Sequence, residues 1–132
     1  MSRAITCAEA LGAAGEVTLY EATAHPLAKV RVSGGGRCNV CHAVFNIKAL
    51  SQRYPRGGKH LIPAFYKFST RNTIEWFSGK GVKLKTEEDG RMFPVTDRSE
   101  TVARCLLTEA EKYGVGVLHN THYETIRAVE GG

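Results

Sequence analysis

Apolar residues near the start of the chain fall at Ile5, Ala8 and Leu11, a three-residue spacing filled in by alanines. This predicts a helix from about Arg3 to Ala14 that stops at Gly15. The apolar run from Val17 to Glu21 reads as a short strand closing on a carboxylate. After it comes a connection broken by Pro26, with a short alternating piece at Val30 and Val32 that empties into three consecutive glycines. The next stretch is polar and loop-like as far as His60. Then Leu61, Ile62, Phe65 and Phe68 recur at helical spacing, and Ser69 or Thr70 can cap a second helix carrying Ile74, Trp76 and Phe77. These aromatics read as core, and Gly79 and Gly81 end the helix. Residues 82 to 95 alternate apolar and polar on both sides of Asp89-Gly90, which predicts a β-hairpin with a two-residue turn. Asp97 followed by Glu100 resembles a capping box, and Val102, Leu106, Ala110 and Tyr113 line one face of a helix ending at Gly114. A final strand pair is expected in residues 115 to 120 and 123 to 129. The order of elements is that of an α/β or α+β fold.

Composition narrows the function classes. A chain of 132 residues that is 42% hydrophobic fits one globular domain with a real core. No apolar run approaches the roughly 18 residues of a membrane span, and the N-terminus has neither a long apolar core nor a basic lead, so an intracellular location and no membrane partner are expected. The net charge of +5 would suit an anionic partner, but the basic residues are scattered among acids and carry no nucleic-acid motif; nucleic acid is not expected as a partner. Cys7, Cys38, Cys41 and Cys105 read as free thiols rather than a disulfide framework.

The chemistry concentrates in residues 33 to 42. Cys38, Cys41 and His42 spell C-x-x-C-H, the attachment signature of a c-type haem. The same stretch opens with Gly34, Gly35, Gly36 and Arg37, the pattern of a backbone that passes close to a flat or phosphorylated ligand. Haem attachment also needs an exported chain and a second axial ligand, which nothing here announces, so haem is kept only as a minor alternative. A redox pair of Cys38 and Cys41 is a further minor alternative. Cys38, Cys41, His119 and His122 supply a zinc inventory at the wrong intervals, and no metal site is expected. Glu87, Glu88 and Asp89 read as a solvated turn. The helix, strand and terminal Glu21 match the later part of a dinucleotide-binding βαβ unit, whose acidic residue lies about 20 positions after its first glycine. The first strand and glycine turn of such a unit are not in the sequence. From the residues alone Glu21 is either a ribose ligand or a solvated carboxylate.

The stretches LAKVRVSGGGRCNV, RYPRGGKH, NTIEWFSGKGVKLKTEEDGRMFPVTDRSETV and LLTEAEKYGVGV together resemble the N-terminal part of the HI0933-like, or BaiN-like, FAD/NAD(P)-binding oxidoreductases. The RYPRGG segment is most similar to plant and algal members. The resemblance covers nearly the whole chain and implies a Rossmann-like FAD-binding domain, with a second domain inserted later in a longer full-length protein. It puts Glu21 on the adenosine ribose, Lys29 at the family's basic position before a strand, and Ser33, Gly34, Gly35, Gly36, Arg37, Cys38 and Asn39 in the loop along FAD near the flavin. Arg37 could face the pyrophosphate or a carboxylate of the core. Arg91, Phe93 and Pro94 are either structural or border the flavin or substrate pocket. The family reads RCNVTN where this chain reads RCNVCH, so Cys41 and His42 complete the haem-like signature by substitution.

Against the family pattern, residues 1–132 are expected to be a partial FAD-binding domain, truncated at both ends. The chain by itself is then expected to hold FAD weakly or not at all. The implied function is the FAD-binding portion of a flavin-dependent oxidoreductase acting on an unidentified small molecule, with NAD(P)H as a possible electron donor and a cytoplasmic or plastid location. The alternative is a non-catalytic remnant that at most binds a partner. No catalytic acid or base is identified.

Overall fold

A computed structural model describes residues 1–125. Helix α1 (Ser2–Leu11) continues into one 3-10 turn at Gly12–Ala14, and strand β1 (Thr18–Tyr20) follows. Of the predicted helical stripe, Ile5 and Ala8 are buried while Leu11 remains largely in solvent. The next elements are α2 (Ala28–Gly36), β2 (Cys41–His42), α3 (Ile47–Gln52), α4 (Gly58–Lys67) and α5 (Thr70–Gly79). The chain ends in β3 (Leu84–Thr86), β4 (Arg91–Pro94), α6 (Ser99–Lys112) and β5 (Gly116–Leu118). No disulfide joins any of the four cysteines. Among the described residues no helix is long and apolar enough to cross a membrane.

The chain divides into two compact units. One comprises residues 1–28 together with the described residues from Leu106 onward, and the other is the continuous segment 29–105. In the first, β1 and β5 pair in parallel, Thr18 opposite Gly116 and Tyr20 opposite Leu118, with Ile5, Ala8, Leu106, Ala110 and Val115 buried. A parallel pair between distant segments is the sheet element expected of an α/β fold. In the second unit, an antiparallel sheet runs in the order β2-β4-β3, and its central strand buries Met92, Phe93 and Pro94.

Six expectations are corrected. Val30 and Val32 lie on a short helical segment, not a strand: Ser33 Oγ donates back to the Val30 carbonyl (3.1 Å), and Ser99 Oγ donates to the Arg31 carbonyl (2.9 Å), contacts that two alternating valines cannot outweigh. Helix α3 replaces part of the expected loop; its cap is Asn46, whose side chain accepts from the Ala49 N–H (3.0 Å). The hairpin turn has three residues, because Glu87 N–H bonds Arg91 (2.9 Å) and Gly90 N–H returns to Glu87 (2.9 Å). Asp97 does not cap α6: with φ 53° it turns its carboxylate to Lys85 and Arg37. The aromatics of residues 61 to 77 are core only at Phe77, on whose ring Trp76 packs edge-on at 5.0 Å; Phe68 is exposed. Finally, β5 pairs with β1, and Tyr123 to Thr125 form no strand; the rest of the second expected strand, residues 126 to 129, lies outside the described residues.

Ser69 caps α5 as expected, with Asn72 reaching back to the Ser69 N–H (2.9 Å) in a reciprocal box. Between α3 and α4 the backbones come so close that a Cβ on Gly58 would stand 2.2 Å from the Ser51 carbonyl oxygen. A glycine is required there for steric reasons.

Candidate functional site

The glycine stretch is a left-handed turn. Helical geometry breaks at Ser33 (ψ 146°), and Gly34, Gly35 and Gly36 then take φ of 58°, 68° and 85° in succession. Each such residue would cost a side-chain-bearing amino acid about 1–2 kcal/mol, so three in a row call for glycine. Cys38 N–H closes the loop on the Ser33 carbonyl (2.9 Å), and Cys38 itself holds φ 65°.

What holds the turn is the hairpin. A Cβ on Gly34 would lie 2.6 Å from the ring of Phe93, a side chain with no exposed surface, and 3.0 Å from the Asn39 nitrogen. Gly35, its neighbour, has nothing within 4 Å of the same position. One glycine is pressed onto the core, and the next faces open space. Arg37 spans the two elements: Nη1 is paired with Glu87 and lies 3.6 Å from Asp97, Nη2 lies 3.4 Å from Glu87 Oε2, and the guanidinium sits 4.0 Å from the Phe93 ring centroid. The hydrogen bond that Arg37 donates to Glu87, followed by the charges of Glu87 and Asp97, holds Arg37 above its ordinary pKa. Arg37 thus faces the carboxylates of Glu87 and Asp97, one of the two kinds of partner open to it. Glu87 is therefore a partner of the loop and not a solvated turn residue, and Asp89 is occupied by the Arg91 N–H (3.0 Å) and Arg91 Nε (2.6 Å). Arg91 also lies over the other reach of Phe93, 5.4 Å from its centroid.

The remaining candidates are placed as follows. Cys38 is buried and Cys41 half-buried; burial raises the pKa of both thiols, and Cys41 Sγ contacts Met92 Sδ at 3.7 Å. The His42 ring lies against the hairpin turn, where a Cβ on Gly90 would come within 2.4 Å of it. Among the described residues no group of three or more His, Cys, Asp or Glu side chains is gathered as for a metal ion. Asn39 and Lys29 are exposed. Glu21 belongs to the first unit and the loop Ser33–Asn39 to the second. Its N–H bonds the Leu118 carbonyl (2.9 Å), and its Oε1 accepts from the Thr23 N–H (3.0 Å) and Thr23 Oγ1 (2.8 Å). Those two hydrogen bonds lower its pKa and keep it ionised.

Sequence reasoning missed Glu87 and Asp97 as partners of the loop. Their negative charge was visible, but nothing in a sequence ties it to an arginine 50 positions before Glu87 and further still before Asp97. The family model for the HI0933-like protein Rossmann domain matches residues 3–132.

Proposed function

Because the chain belongs to the HI0933-like Rossmann-domain family, we propose that it is an FAD-binding domain of a flavin-dependent oxidoreductase. The observation that carries this reading is the left-handed turn at Gly34–Gly36: a Cβ on Gly35 would meet nothing within 4 Å, and the turn is fixed from beneath by Phe93 and the Arg37–Glu87 pair. Main-chain donors and the exposed ammonium of Lys29 attract the anionic parts of the cofactor, while Arg37 positions the loop. Glu21, ionised and oriented by Thr23, accepts hydrogen bonds from the adenosine ribose. Ser33 and Asn39 flank the turn, and Cys38 packs beneath it with its thiol protonated. The bound flavin supplies the hydride chemistry, and the protein contributes binding and orientation.

Amide spectra of the ¹⁵N-labelled chain test this even if affinity is low. FAD should shift the amides of Gly34 to Asn39 and that of Glu21. FMN, which lacks the adenosine, should leave Glu21 in place, and Gly35→Val should weaken the response at the loop about tenfold or more, as expected when a β-branched residue is forced into left-handed geometry. If millimolar FAD leaves the Ser33–Asn39 amides unmoved both in this chain and in one preceded by a strand and a G-x-G-x-x-G turn, the reading is wrong.

A further inference from the structure

A second concavity lies in the segment 29–105, beyond the glycine turn. Strand β2, the ends of α3 and α4 and the start of α5 enclose a cleft of about 440 Å³, a size common for small-molecule sites. Its apolar wall is Leu50, Tyr54, Phe65 and Phe68, with the Tyr54 and Phe65 rings 5.4 Å apart and inclined at 46°. Tyr54 and Phe68 are about half exposed (46% and 53%), so the rim leaves aromatic surface in water that an apolar ligand would cover.

The polar groups of the cleft differ in what they offer. Thr70 Oγ1 donates to the His42 carbonyl (3.3 Å) and Thr73 Oγ1 to the Ser69 carbonyl (3.1 Å), so both hydroxyl protons are committed and only lone pairs remain for a visitor. Arg53, also lining the cleft, has no ion-pair partner among the described residues and presents a forked donor that fits a carboxylate. We propose that this cleft binds a small aromatic carboxylic acid, with its ring on Tyr54, Phe65 and Phe68 and its carboxylate on Arg53. None of the residues lining it belongs to Ser33–Asn39, so the inference stands or falls without the flavin reading.

The probe is 2-naphthoate, titrated into the chain and followed by its fluorescence and by backbone amide shifts. Saturable binding is expected, with shifts at residues 40–42, 50–54 and 65–73. The neutral isostere 2-naphthalenemethanol should bind about tenfold more weakly, the scale of a hydrogen bond to a charged group. Arg53→Gln should abolish that preference without moving the unfolding midpoint, and Phe68→Ser should weaken both ligands alike. The proposal is overturned if naphthoate does not bind at millimolar concentration, if acid and alcohol bind equally, if Arg53→Gln keeps the preference, or if the shifts lie elsewhere.

Discussion

The glycine turn and the helical pair α3–α4 reverse the usual relation between pattern and packing. Residues 33 to 39 are small and polar, yet the turn rests on Phe93, the most completely buried aromatic of the chain. Helix α4 has the strongly amphipathic pattern of a core helix, yet none of its residues is buried and Phe68 beyond it stands in solvent. Amphipathicity states that a face is apolar; whether anything covers it depends on which partners the rest of the chain supplies. The glycine turn has one because Arg37 and Gly34 meet the hairpin.

Substitution can break this contrast at either end. Phe93→Ala should cost the most, about 3–5 kcal/mol as for buried aromatic truncations, seen as a lower denaturation midpoint by far-UV circular dichroism. Gly34→Ala adds a side chain to left-handed backbone and drives it into Phe93. The two effects together should cost roughly 2–4 kcal/mol in the same experiment. Gly35→Ala has nearly the same φ and no neighbour, so its cost should be only about 1 kcal/mol, and the difference between the two isolates the contact with Phe93.

Acid should loosen the loop's anchor before it affects the helical pair. The hydrogen bond from Lys85, then the charges of Lys85 and Arg37, hold the Asp97 carboxyl below its ordinary pKa. The folded state thus binds this proton less readily than the unfolded chain, and the stabilisation is complete above about pH 4 and lost as pH falls through the folded value. Lys85→Met should flatten the acid limb of a stability-against-pH curve. Smallest of all, Phe68→Ser should change stability by no more than about 0.5 kcal/mol; a loss comparable to that of Phe93→Ala would show that the face of α4 is covered after all.

Elements whose causes are local were legible in the sequence. The hairpin was marked by alternation on both sides of Asp89-Gly90, the start of α5 by Ser69, and α6 by its spacing of Val102, Leu106 and Ala110. The misreadings share a different origin. Asp97 sits where a cap residue would, but Lys85 and Arg37 compete for its carboxylate, and neither is near it in sequence. Val30 and Val32 satisfy a two-residue alternation that a short helix also satisfies, and Ser99 and Glu100 decide between them from nearly seventy positions away. At the candidate site the three glycines pointed to unusual backbone, which the turn bears out. The partner that commits Arg37 to a structural task lay beyond any local pattern.

The pairing of β1 with β5 also orders events in time. The segment 29–105 is continuous, whereas the unit around β1 needs residues from both sides of it. During synthesis Lys29 to Cys105 leaves the ribosome before β5 does, so the hairpin, its sheet and the glycine turn are free to form first. Strand β1 has to wait, with its hydrogen-bonding edge open, until β5 has emerged. Long-range parallel pairing is slow for the same reason, since loop closure precedes any compensating contact. Nascent-chain arrest at increasing lengths would find the inner segment protected from protease well before the outer one, and the waiting edge of β1 is where a chaperone or a stray strand has its opportunity.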